Sequence, residues 1–193
     1  MAGHARYTAL LDACVLFPVA LCDSLMSVAA TGLYAPKWTR RIEDEWTRSL
    51  EKKRGRPPGW YTVRRNAMRD AAPDWEVPEQ AWSRIALCFQ LPDPEDVHVL
   101  AAAIAGHADC IVTANLKDFP EDALAPFGIQ AIHPDEFLIA QMDLDPLIVL
   151  AAFKEQRARL KTPAYTPSAF ADALERNELV LTAQRLREAA ALI

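Results

Sequence analysis

The stretch HVLAAAIAGHADCIVT, residues 98–113, leaves this chain few ways to fold. Val97, Leu100, Ala101, Ile104 and Ala108 mark one helical face and Ala102 and Ala103 keep the other slim, so Glu95 to His107 reads as a helix apolar enough to be buried. Gly106 lies near its end. Cys110 to Thr113 follows as a short apolar strand, and Tyr7 to Leu11, ending at the acid Asp12, has the apolar residues on both faces that a central parallel strand needs. Strands separated by helices imply a parallel sheet covered on both sides.

Gly128 to Ile132 is a third strand candidate. A helix is expected from Pro18, with Leu21, Leu25, Val28 and Ala29 at helical spacing and a stop at Gly32. Thr39 is a candidate N-cap for a second helix carrying Ile42, Glu45, Trp46 and Leu50 and ending before Gly55. Arg56 to Gly59, the sequence RPPG, forbids helix, and a third, basic helix is expected over Tyr61 to Ala71. Glu79 to Leu91 is open between a short helix and a strand. After Asp135 the periodicity is helical only, punctuated by Pro163 and Pro167. The expectation is an α/β domain over residues 1–142 with a central parallel sheet flanked by helices, and a small helical C-terminal extension over 143–193.

The longest apolar runs, such as Val97 to Ala105, fall far short of the roughly 20 residues that a membrane span requires. The N-terminal MAGHARYTALLDAC meets Asp12 too soon to hold the apolar region of a secretory signal, so a cytoplasmic location is expected. Cys14, Cys22, Cys88 and Cys110 form no CxxC pair and read as reduced thiols in the core.

A net charge of −5 argues against a nonspecific nucleic-acid coat, but its distribution is uneven. Lys37 to Arg69 holds eleven basic residues against four acids, a net of +7, while Leu91 to Asp145 holds eleven acids against Lys117 alone, a net of −10. A basic surface beside an acidic pocket suits a polyanion gripped by its backbone while the acids hold a cation, and a solvated helix bearing a charge run is the equal alternative.

Ligands of open α/β sheets bind beyond the carboxyl ends of the strands. Asp12 ends the first strand, Asp96 opens the buried helix, Asp118 follows the strand 110–113, and Glu45 rides the second helix. Clustered carboxylates repel one another unless a cation compensates, and oxygen-only ligands favour Mg²⁺ or Mn²⁺. Such ions lower the pKa of an attacking water and stabilise a leaving oxyanion in phosphodiester cleavage. Asp at a helix start is ordinarily a cap, so Asp96 by itself decides nothing. Asp93 and Glu95 read as solvated loop acids, and Asp23 as either a helix-surface acid or a group that supports the ligands from behind. His98, two residues past Asp96, turns away from it and reads as structural or surface.

Three blocks, LLDACVLFP at 10–18, WTRRIEDEWTRSL at 38–50 and PDPEDVHVLAAAIAGHADCIVTANLKDFP at 92–120, resemble the PIN-domain ribonucleases, especially the VapC-type toxins of bacterial toxin-antitoxin systems. The likeness runs over roughly residues 7–140. It implies a PIN-like α/β fold and a metal-dependent endoribonuclease using Mg²⁺ or Mn²⁺. By motif it carries the catalytic and metal-binding acids onto Asp12, Glu45, Asp96 and Asp118. Where the family often has a further Asp in its T-x-D segment, this chain has Asn115, which the resemblance makes a supporting residue together with Thr113.

The resemblance further implies an RNA substrate, a cognate DNA-binding antitoxin and a homodimer, with no membrane. Under it, the Arg and Lys residues near Glu45 would bind the RNA backbone, and Trp38, Trp46, Trp60 or Tyr61 could stack on bases. The alternative is a non-catalytic PIN-like scaffold that binds RNA or protein without cutting. A DNA nuclease of related fold is a third class. A dinucleotide enzyme is disfavoured, because Asp-Ala-Cys-Val-Leu and not a glycine-rich turn follows the first strand.

Overall fold

The structure is a computed structural model that describes residues 6–193. The first residues of the stretch read for a secretory signal lie outside the described part. In chain order the elements are β1 (Thr8–Leu11), α1 (Ala13–Leu16), α2 (Val19–Ala29), β2 (Ala35–Lys37), α3 (Arg40–Arg54), α4 (Thr62–Ala71), α5 (Glu79–Ala86), α6 (Val97–Ala105), β3 (Cys110–Val112), α7 (Glu121–Leu124) and β4 (Gln130–Ile132). Four helices follow: α8 (Pro134–Leu144), α9 (Pro146–Arg159), α10 (Pro167–Glu175) and α11 (Val180–Glu188). Among the described residues no helix is long and apolar enough to cross a membrane.

The chain packs into two compact units. The first takes the residues up to Phe17 together with Tyr34–His133; the second takes Pro18–Leu33 with Pro134–Ile193. The second stretch of the helical unit begins at Pro134, and α2 groups with the C-terminal helices although it comes early in the chain.

In the first unit all strands are parallel, in the order β2-β1-β3-β4. Ala9, Leu10 and Leu11 of β1 and Cys110, Ile111 and Val112 of β3 are fully buried, as the central positions of a two-sided sheet require. Short β2 was not foreseen, since Pro36 at its centre removes a ladder donor; the edge position tolerates that loss.

Helix α6 packs on β1, β3 and α5, with Ala101, Ala102 and Ala103 wholly inaccessible. Small side chains allow that close approach. Gly106 extends it, for a Cβ there would lie 2.8 Å from Val77 Cγ2. Helix α3 begins as expected, with Thr39 Oγ1 accepting the Ile42 N–H at 3.1 Å, and ends at Gly55 in the left-handed region at φ 59°.

Two glutamates of α3 are structural. Glu43, 1% exposed, accepts from Trp38 Nε1 at 3.0 Å and from Arg69 Nε at 2.9 Å, and the Arg69 guanidinium lies over the Trp75 ring. Glu51 Oε1 accepts the Gly59 and Trp60 N–H groups at 2.7 and 3.1 Å, which pins the loop after α3.

The second unit is a helical assembly of α2 with α8 to α11. Buried Asp135 accepts the Leu181 and Thr182 N–H groups at 2.7 and 2.9 Å, satisfying donors at the start of α11. Ser24 and Gln156 bond in its interior. Asp23 pairs with Arg159 at 3.0 Å.

Candidate active site at the carboxyl edge of the sheet

The register pairs Leu11 with Val112, so Asp12 and Thr113 emerge side by side where the strand order switches between β1 and β3. That crevice is where open α/β sheets bind ligands. Asp12 is 4% exposed and its carboxylate is held from three directions, by the Thr113 hydroxyl at 2.7 Å, the Ala13 N–H at 2.5 Å and the Cys14 thiol at 3.0 Å. The Asn115 N–H donates in turn to Thr113 Oγ1 at 3.0 Å.

Beyond Asp12 opens a cavity of about 370 Å³ with Asp12, Glu45, Asp96 and Asn115 on its lining and Phe17 and Trp46 on its walls. Asp96 makes no capping bond to α6, whereas Asp93 caps the preceding turn through the Glu95 N–H at 2.9 Å. The carboxylate of Asp96 is thus left to the cavity. Burial pushes its pKa up to about 7, reinforced by the negative charges of Asp12, Asp93, Asp118 and Glu45.

Glu45 has a different environment. His98 Nε2 and Arg41 Nε both lie 3.0 Å from Glu45 Oε1, and Arg41 reaches on to Glu95 at 3.1 Å. Burial acts to raise the Glu45 carboxyl, but the hydrogen bonds and charge of His98 and Arg41 outweigh it and hold the group below its usual value.

His98 is therefore not a surface residue. It is 3% exposed and packed against Trp82, with ring centroids 5.9 Å apart, and it faces Glu45, not Asp96. Its spacing from Asp96 was readable; the helix it would meet was not.

Asp118 is not on the cavity wall. It ends the turn Leu116–Asp118, half-buried, and bears on the site through its charge on Asp96. Cys14 was missed as a site residue. It lies half-buried on the cavity, and burial, then the Asp12 charge, pushes its pKa up to about 12, so it stays a neutral thiol that donates to Asp12. Of the other cysteines only Cys22 and Cys110 are in the core; Cys88 is exposed. Trp38 and Trp46 are buried, which removes them as stacking faces and leaves Trp60 and Tyr61.

Among the described residues no three His, Cys, Asp or Glu side chains converge closely enough to close directly around a metal ion. The acids instead surround an open cavity, and the donors are hard oxygens. That set fits an ion such as Mg²⁺, which keeps several waters and takes one or two carboxylates together with substrate phosphates.

A parallel sheet in the order 2-1-3-4 thus carries carboxylates at its switch point. Residues 8–117, more than half of the chain, match the family model of the PIN domain, and the chain belongs to the PIN domain family. Residues 134–188 match the VapC50 C-terminal domain, so the second match begins where the second stretch of the helical unit begins. A protein of Mycobacterium tuberculosis named "Putative ribonuclease VapC50" is 46% identical over 80 residues, which is 42% of this chain and 47% of that relative. The match thus spans about half the length of the relative.

Proposed function

We propose that the chain is a metal-dependent endoribonuclease, the toxin of a toxin-antitoxin pair, and that its active site is the cavity around Asp12, Glu45 and Asp96. The observation that carries this reading is Asp96: a carboxylate unused as a cap, turned to a cavity it shares with Asp12 and Glu45, and pushed up to about 7 by burial and by the neighbouring carboxylates. Membership of the PIN family and the likeness to a VapC50 relative support the same activity.

Asp12 and Asp96 would hold the ion, Mg²⁺ or Mn²⁺, with Asp118 adding charge behind Asp96. When bound, the ion lowers the pKa of an attacking water and offsets charge on the leaving oxygen. Thr113 and Cys14 orient the Asp12 carboxylate by donating to Oδ2. Glu45, with Oε1 engaged by His98 and Arg41, keeps Oε2 for orienting the attacking water; its lowered pKa keeps it ionised as a hydrogen-bond acceptor. Asn115 supplies a neutral amide where a further carboxylate would add repulsion.

The partners in this reading are an RNA substrate, a cognate DNA-binding antitoxin and a second copy of the chain, all in the cytoplasm. One observation favours the non-cutting scaffold instead: among the described residues no three acids are pre-assembled to grip an ion directly. RNA cleavage by the purified protein with Mg²⁺, Mn²⁺ or EDTA, beside Asp12→Asn, decides between them. Loss of cleavage in EDTA and in the variant supports the nuclease, and binding without any metal-dependent cleavage supports the scaffold.

A further inference from the structure

The arginines near Glu45 are already engaged by acids. Arg40 pairs with Glu76, Arg41 with Glu45 and Glu95, and Arg48 and Arg65 with Asp44. The end of α3 differs. Lys52, Lys53, Arg54 and Arg56 are all exposed, and among the described residues none of them forms an ion pair. Beside them Trp60 is 54% exposed, with the Arg56 guanidinium 4.5 Å from its ring centroid.

The chain holds the backbone of this exposed tryptophan in place. Glu51, itself buried, fixes the backbone of Gly59 and Trp60 with two hydrogen bonds. Lys53 Nζ lies 5.1 Å from the ring centroid of Phe17, a wall residue of the acidic cavity. Lys53 therefore adjoins the site.

Unpaired cations attract phosphates, and an aromatic face flanked by a guanidinium is a platform for an unpaired base. We infer that the end of α3 and the loop through Trp60 form the docking platform for single-stranded RNA, with Lys53 leading the backbone toward the cavity and Trp60 stacking a base. This rests on the ribonuclease reading for the choice of RNA, but its test does not require cleavage.

The test is fluorescence anisotropy of the full chain in EDTA with a short labelled single-stranded RNA of mixed sequence, and with a duplex of the same sequence. Trp60→Ala should weaken single-strand binding about tenfold or more, and Trp60→Phe should keep most of it. Lys53→Ala with Arg56→Ala should reduce the slope of log K against log salt by about 1.4, from about 0.7 per phosphate contact on a single strand. Val63→Ala, at a position 82% exposed on the neighbouring helix, is the control expected to change nothing. Single-strand affinity unchanged by Trp60→Ala and by the double substitution overturns the inference and leaves the patch to an acidic protein partner. Duplex binding that is equally tight and equally dependent on Trp60 also overturns it, because paired bases offer that ring no face. Because no step depends on cleavage, a failed platform and a failed nuclease remain distinguishable.

Discussion

His98 Nε2 lies 3.0 Å from Glu45 Oε1, joining α6 to α3 across the wall of the acidic cavity. The imidazole has no other hydrogen-bond partner among the described residues, because its Nδ1 is buried and unsatisfied. Its one hydrogen bond there is thus the one to Glu45, while the ring packs against Trp82. His98→Phe should lower kcat for RNA cleavage about 10- to 100-fold with little change in KM, as losses of an orienting partner do. His98→Gln, which can still donate to Oε1, should recover part of the rate.

Glu43 and Glu45 stand two residues apart on α3 and should respond in opposite ways. Glu43 is sealed in with Trp38 and Arg69, and Glu43→Ala should cost about 3 kcal/mol of stability by leaving that arginine and indole without their acceptor. Glu45→Gln retains an oxygen for His98 and Arg41, so unfolding should change by less than about 1 kcal/mol while activity is lost. Chemical denaturation and initial cleavage rates on the two variants provide the comparison.

The Asp96 carboxyl gives the metal-free protein a pH signature. Its pKa is about 7 in the folded chain against an ordinary 3.8, so between those values the folded state holds the proton more tightly than the unfolded one. Stability from this group is complete below about 4 and is lost as pH rises through about 7. In EDTA, Tm should fall over that window, and the fall should be smaller in Asp96→Asn. Added Mg²⁺ or Mn²⁺ should raise Tm most at the alkaline end, where the ion meets no bound proton.

Thr113 should act through Asp12. Its hydroxyl is the 2.7 Å donor to Oδ2, so Thr113→Val should weaken cation binding about tenfold, whereas Thr113→Ser should leave it near the parent value. Calorimetric titration with Mn²⁺ measures this directly.

What was legible in the sequence was whatever depends on near neighbours. The Thr39 cap, the stop at Gly55, the slim alanine helix and the two central strands all follow from residues within a few positions of one another. Asp12 beside Thr113 also follows once both strands are central and parallel. What depends on a distant partner was hidden. Nothing local distinguishes Glu43, which meets Arg69 and Trp38, from Glu45, which meets His98. Asp118, at the end of the turn Leu116–Asp118, does not line the cavity, which no motif spacing reveals. Helix α2 follows β1 in sequence yet joins the C-terminal helices, because its partners, such as Gln156 for Ser24, lie more than a hundred residues away.

The most direct test of the account is the rate of RNA cleavage by the purified chain as Mn²⁺ is added to metal-free protein, in the parent and in Asp12→Asn and Asp96→Asn. Saturable, EDTA-reversible cleavage in the parent and its loss in both variants is the expected result. Cleavage that persists in EDTA, or that survives in either variant, would contradict the assignment of the acidic cavity as the active site.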